Sequence, residues 1–454
     1  MSADTVREPA RDLKVINDVD VVVLGGSCTG VFAAVRAARL GAKVAIVEQL
    51  GAFGGTATAG FVCIWHSLTD TTYRRQIISG LTEETIDRLK AVPNGLRFRP
   101  RKDDRWRAPN YSNYILNTEE LKIELDRMIL EAGVTPYLHT RYSAPHFEYG
   151  RLTAVIVENR SGRFAIRAKY FIDATADGFL GADAGMEVYY HGDFQPATAG
   201  AKVSGWDRLN HPNALLRTDE NRLRIGGRAG WDIGVPGATG TSNWCKTQFA
   251  GDCSDADVLT RAEMDGRRQI REMMNILRES DPNGGELSLV ALSAMIGIRE
   301  TRQLRCSYQI TEKDICYGRH FDDAIGYCAY PVDVHTPQKQ TTFRYLDGWE
   351  KHAAPDGSVE EVRWRTDEGP YPTYWEIPLR SITPQNVPNL MICGRCIDAD
   401  RDAFGALRVM ISLNQTGEAA GVACYEALNS GRAVQDIDFR SFREKMREGG
   451  SIVI

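Results

Sequence analysis

The chain carries little excess charge of either sign: 55 Lys and Arg stand against 60 Asp and Glu in 454 residues, a net charge of −5. That near balance excludes the basic footprint of a nucleic-acid-binding protein. No apolar run approaches the ~20 residues of a membrane-crossing helix. Residues 1–18 are polar and lack the apolar centre of a secretory signal, so they are expected to form a flexible lead-in and the protein to be cytoplasmic. The 10 cysteines lack the regular spacing of a disulfide framework, which predicts free thiols in a reducing compartment. Cys393 and Cys396 form a lone C-x-x-C. Without a second such pair or paired histidines it argues against zinc, and no metal is expected. Cys393 lies on an apolar strand where a small core residue would serve, so a redox disulfide is disfavoured. Internal repeats and low-complexity tracts are also missing.

Two distant segments carry the strongest signal. The first is an apolar run, Asp20 to Leu24, opening into Gly25-Gly26-Ser27-Cys28-Thr29-Gly30. A helix-like stretch follows over 31–40, then a second strand over 44–47 that ends at Glu48 and Gln49. Strand, glycine turn, helix, strand and acid in this order form a βαβ unit for a dinucleotide. The turn brings backbone N–H groups to a pyrophosphate, the helix N-terminus adds its positive end, and Glu48 can accept bonds from ribose hydroxyls. Ser27 replaces the middle glycine of the usual fingerprint, at the cost of a side chain where the main chain approaches phosphate. The second segment runs Asn389-Leu390-Met391-Ile392-Cys393-Gly394-Arg395-Cys396 and continues to Gly417 and Gly421. Together the two point to FAD rather than a diffusible nicotinamide. Gly226-Gly227-Arg228-Ala229-Gly230 follows no convincing strand, so no dedicated NAD(P)H domain is expected. Electrons then pass through the substrate pocket, to oxygen, a quinone or a protein partner.

Between these segments lies Gly54-Gly55-Thr56-Ala57, a small-residue loop suited to lying against something flat. Capping helices are expected over about 62–115. A helix starts at Thr118 with Asn117 or Thr118 as its cap, acids in its first turn, and a Leu121, Leu125, Met128, Ile129 stripe. A strand over 134–139 and alternating runs at 152–158 and 164–172 follow, returning the chain to the nucleotide end at Asp173–Gly178. The expected domains are a first part of the FAD-binding domain over 19–190, a substrate domain over 191–370 containing a helix at 257–279, and a second part over 371–454 ending in a helix from about 408 to 428.

These blocks, with Arg299-Glu300-Thr301-Arg302, Tyr330-Pro331-Val332-Asp333-Val334-His335 and Gly405-Ala406-Leu407-Arg408-Val409-Met410, resemble the FAD-dependent oxidoreductase family, distantly similar to fumarate reductase and succinate dehydrogenase flavoproteins. The resemblance implies an α/β fold: a Rossmann-like, three-layer FAD-binding domain of the glutathione-reductase type with an inserted α+β substrate domain. It implies that Gly25–Gly30 and Gly54–Ala57 bind the pyrophosphate, Glu48 the ribose, and the strand near Tyr142 the adenine through backbone groups. Ala174 and Asp177 belong to the same end of the sheet. Gly394 and Arg395 would lie under the ribityl chain, and a helix opening near Leu407, Arg408 and Val409 would aim its amides at the flavin N1–O2 edge, where reduced flavin is negative. Asp398 to Arg401 departs from the small or hydroxyl residues usual there.

For chemistry, Asp333 and His335 alternate onto one strand face, where the carboxylate can orient the imidazole. A structural histidine at a strand end is the plain alternative. Arg299, Arg302 and Arg305 recur in threes, as one helix face would place them, either as a substrate clamp or as an ion-paired surface. Tyr330 and His66 are further candidates. The function expected is hydride transfer between flavin N5 and a small polar substrate: hydroxylated, sugar-like or carboxylated. A flavin monooxygenase and a non-catalytic flavin-binding protein stay open, as does homo-oligomer formation.

Overall fold

The computed structural model describes residues 5–100, 112–218, 231–338, 340–354, 358–366 and 369–454. Its centre is a seven-stranded sheet. β1 (Val15–Leu24) is flanked on one side by β2 (Val44–Val47) and β3 (Thr135–Tyr137). On the other side lie β6 (Gly162–Asp173), β5 (Arg151–Asn159) and β4 (Arg141–Glu148). β11 (Leu390–Ile392) pairs in parallel with the last residues of β6, Leu390 facing Phe171 and Ile392 facing Asp173. β1, β2, β3, β6 and β11 are parallel, whereas β4 and β5 return antiparallel. The apolar runs of β1 and β2 are buried on both faces, as expected for parallel strands covered by helices.

All the parallel strands end at one edge. Gly25 N donates to Val47 O (2.8 Å), Ala174 N to Leu24 O (2.8 Å) and Cys393 N to Asp173 O (2.9 Å), so head, middle and tail of the chain leave the sheet together. β1 starts at Val15, so the last four residues of the expected lead-in pair with β6 instead of being free.

α1 (Cys28–Arg39) and the late helix α6 (Met410–Ser430) cross in close contact. A β-carbon on Gly417 would stand 2.1 Å from Thr29 O, and one on Gly421 2.4 Å from Ala33 O. The buried Arg36–Glu418 pair locks the same crossing, and Glu418 Oε1 also accepts from Leu81 N at 2.9 Å. Among the described residues, the expected capping helices resolve into one helix, α2 (Leu81–Ala91), and a three-stranded antiparallel sheet of 64–65, 96–99 and 113–116, because β-rich Asn113–Leu116 pairs on both edges. α3 (Thr118–Glu131) starts where predicted, with Asn117 accepting from Glu119 N.

Among the described residues, the stretch after residue 190 holds two four-stranded sheets and a two-stranded one of 324–328 and 375–378. β7 (Gly200–Ser204) is paired on both sides, by β8 (Thr241–Cys245) and by 288–292, under α4 (Ala256–Ser280), with a core of its own. The second sheet begins with β9 (Val332–His335) and β10 (Thr341–Arg344) and continues through 349–353 and 359–363. α5 (Arg401–Leu407) packs on β9; a β-carbon at Gly405 would stand 2.9 Å from Asp333 O. Gly226–Gly230 lies outside the described residues.

Candidate active site

The glycine turn between β1 and α1 is shaped by backbone crowding. Gly25 has φ +99, and a β-carbon there would stand 2.3 Å from Ala174 O. Gly26 N donates to Glu48 Oε2 (2.6 Å) and Leu50 N to Glu48 Oε1 (2.8 Å), so the acid at the end of β2 fastens the turn while keeping lone pairs for a ribose. Burial pushes its carboxyl up, against those two donors. Gln49 is exposed beside it. Ser27 caps α1, its hydroxyl accepting from Gly30 N at 3.5 Å. Gly54 (φ +104) donates its N–H to Gly26 O (2.8 Å), and Gly55 to Ala57, including Thr56, form a short turn against Ser27. The lost middle glycine is therefore offset by Gly55, whose missing side chain leaves room for Ser27.

At the other end, Gly394 (φ +91) donates to Thr416 Oγ1 at 3.3 Å. Arg395 pairs with Asp177 (2.9 Å) beside Ala176, which itself holds φ +69. The helix expected from about 408 to 428 is α6, which opens after extended Val409 with no side-chain cap; a separate short helix, α5, ends just before it at Leu407, a core residue. One turn into α6, fully buried Asn414 has no hydrogen-bond partner at either amide atom. Open first-turn amides, glycine turns too tight for side chains and an unsatisfied carboxamide together fit a polar cofactor spanning α1 and α6. Tyr142, expected to act through backbone, also donates its hydroxyl to Asp183 at 2.9 Å.

Asp333 gathers the chemistry. Arg408 Nη2 donates to its Oδ2 and to its backbone O, both at 3.0 Å. Tyr330 donates to the same Oδ2 at 3.0 Å, and His335 Nε2 stands 3.1 Å from Oδ1. Burial alone would raise the Asp333 carboxyl, but the Arg408 guanidinium and its His335 and Tyr330 neighbours more than offset it and hold the group ionised. Burial pushes His335 down, against the pull of Asp333, so its ring is neutral near pH 7. His335 Nδ1 faces Thr341 Oγ1 at 3.1 Å, and its backbone N–H donates to Gln195 Oε1 at 3.2 Å. His66 lies against the Tyr330 ring, centroids 4.5 Å apart, and burial pushes its imidazole down to about 4. Burial and the Asp333 charge push the Tyr330 phenol well up, so it stays protonated and donates to Asp333.

The three arginines do not share a face, because 299–302 is irregular chain rather than helix. Arg299 reaches Pro196 O and Thr198 Oγ1 (2.6 Å), within the field of Asp333 and Arg408. Arg302 turns away to Asp177 O (2.7 Å) and the Phe179 ring, and Arg305 pairs with Asp398 (3.0 Å). Asp398, which departs from the expected pattern, is spent on Arg305, Tyr189 and Cys306 N. Arg408, expected beside the flavin edge, engages Asp333 through its side chain. Gln195, Thr198, Thr341 and Asn414 escaped the sequence reading. Only Asn414 left a visible signal, a carboxamide one turn before Gly417 in an apolar helix. Among the described residues no group of three or more His, Cys, Asp or Glu could hold a metal ion, and no helix is long and apolar enough to cross a membrane.

Dihydrolipoyl dehydrogenase of Trypanosoma brucei brucei is 52% identical over 46 residues, and the chain spans about a tenth of that relative's length (10% of each). Two solved structures are similar over most of the chain. A geranylgeranyl bacteriochlorophyll reductase-like protein of Thermoplasma acidophilum is 14% identical, covering 95% of this chain and 84% of its own, with TM-score 0.49. The p-nitrophenol 4-monooxygenase of Pseudomonas putida DLL-E4 is 10% identical, covering 96% and 89%, with TM-score 0.45. The family described as FAD dependent oxidoreductase matches residues 20–446, glycine turn, polar cluster and α6 included, and the chain belongs to that family, with FAD as its cofactor.

Proposed function

We propose that the protein transfers a hydride between FAD and a small polar substrate, hydroxylated, sugar-like or carboxylated. The Gly25–Gly30 turn (Gly25, Gly26, Ser27, Thr29, Gly30) and Gly54 to Ala57 would hold the pyrophosphate, with Glu48 and Gln49 at the ribose. Ala174, Asp177, Gly394, Arg395 and the opening of α6 after Val409 would hold the rest. Bound there, FAD supplies two-electron redox chemistry.

The observation that carries the reading is the Asp333 hub. A neutral His335 whose Nε2 faces an ionised carboxylate is an oriented base. Its Nδ1, which among the described residues meets only the Thr341 hydroxyl, is the atom that takes the proton a substrate hydroxyl releases, or returns it in the reverse direction. Arg408 and Tyr330 keep Asp333 ionised and still, so that the imidazolium formed in that step is compensated.

The test is anaerobic mixing of the FAD-loaded protein with sugars, polyols, amino acids and hydroxy acids, watching the band near ~450 nm that belongs to the cofactor. At least one class should bleach it. Asp333→Asn should slow that bleaching about a hundredfold while FAD stays bound. A yellow protein indifferent to every class, or an Asp333→Asn variant as fast as the parent, would defeat the proposal.

A further inference from the structure

The polar cluster is unbalanced in both charge and hydrogen bonding. Arg299 is held by two neutral oxygens, Pro196 O and Thr198 Oγ1, and has no carboxylate partner among the described residues. The one carboxylate in its field, Asp333, is already engaged by Arg408, Tyr330 and His335. Burial pushes the Arg299 guanidinium down to about 10, and the neighbouring Arg408 guanidinium adds to it, which marks a charge held without compensation. Two guanidiniums, Arg299 and Arg408, against the one carboxylate leave positive charge in excess here.

The hydrogen-bond count leans the same way. Gln195 is 2% exposed, and its Oε1 accepts from His335 N, yet its Nε2 has no acceptor. Arg408 Nε is likewise a buried donor without a partner. In this cluster Asp333 Oδ1 is a carboxylate oxygen outside a regular hydrogen bond, and it faces His335 Nε2. His66 Nδ1 is also unpartnered, in a ring that stays neutral. Two buried donors, Gln195 Nε2 and Arg408 Nε, are therefore left in search of acceptors beside the excess positive charge. A polyol brings a donor with every oxygen and would leave that excess in place, whereas a carboxylate brings only acceptors and one negative charge.

We propose that the substrate is a monocarboxylate anion and that Arg299, assisted by Gln195 Nε2, is the group that grips its carboxylate beside His335. The inference rests on the oxidoreductase reading and names the substrate class at that same site. Arg302 and Arg305, turned away to Asp177 and Asp398, take no part.

The test uses the FAD-loaded protein at constant ionic strength, titrated with sodium propionate, propionamide or glycerol, reading the perturbation of the cofactor's absorption band. Propionate should give a saturable shift, and propionamide and glycerol none at the same concentration. Arg299→Met should weaken propionate about tenfold or more, and Arg299→Lys, which keeps the charge, should recover part of it. Gln195→Leu should weaken it by a smaller factor, and this variant carries the test if Arg299→Met fails to fold. Equal shifts from the neutral probes, or propionate affinity unchanged in Arg299→Met and Gln195→Leu, would overturn the inference. A protein that is bleached by a polyol and ignores propionate loses only this inference. One that takes up no FAD loses the hydride-transfer proposal as well.

Discussion

His66 shows how burial turns a side chain into a pH liability. Its imidazole is pushed down from 6.5 to about 4 because the charged form would sit beside Tyr330 without water, with Arg408 and Arg99 opposing it. The unfolded chain therefore binds that proton more readily than the fold. The stabilisation is fully present above pH 6.5 and is lost as pH falls toward about 4. His335, also pushed down by burial, adds in the same direction. We expect the parent protein to lose about 2 kcal/mol of stability over that window and His66→Gln to lose markedly less. Urea unfolding at pH 7 and at pH 4.5 measures this, and parallel losses in the two proteins would refute it. Asp333 and His335 were visible as a pair in the sequence because strand alternation puts residues two apart on one face. Arg299 and Arg302 were not separable, because that depends on an irregular segment whose direction is set by Pro196, Thr198 and Asp177.

The crossing of α1 and α6 depends on what α6 lacks. At Gly417 and Gly421 the backbone of α1 occupies the space of a side chain, so any β-carbon forces the helices apart. That movement would also displace the first turns of both helices, where the cofactor's phosphates and ring are expected. Gly417→Ala should cost about 2 kcal/mol and release FAD more readily, whereas Gly285→Ala, with nothing within 4 Å of the added carbon, should be near neutral. Thermal unfolding and the fraction of FAD retained after gel filtration compare the two. Strand β1, the glycine turn and α1 were readable because their period and turn chemistry are local. The break between α5 and α6 was not. It falls at extended Val409, next to Arg408, whose side chain reaches Asp333, a contact 75 residues away in sequence.

Across the molecule all ten cysteines are buried, Cys393 and Cys396 among them. Burial pushes both thiols well up, with neighbouring Asp173 adding to it, so neither forms a thiolate at neutral pH. The native protein should resist thiol reagents and turn over at the same rate with or without reductant, while the denatured chain should titrate all ten. Rapid labelling of native Cys393 or Cys396 would restore the redox reading. The amino-acid order was sufficient for the parallel sheet, the nucleotide turn and the cofactor, because each rests on short-range periodicity and on glycines at positions where only a bare backbone fits. Which arginine comes into the field of Asp333, and which hydroxyl meets His335 Nδ1, depend on the segments around 195, 299, 333 and 408 folding against one another. Such contacts join residues of ordinary type at long range, and no local pattern encodes them.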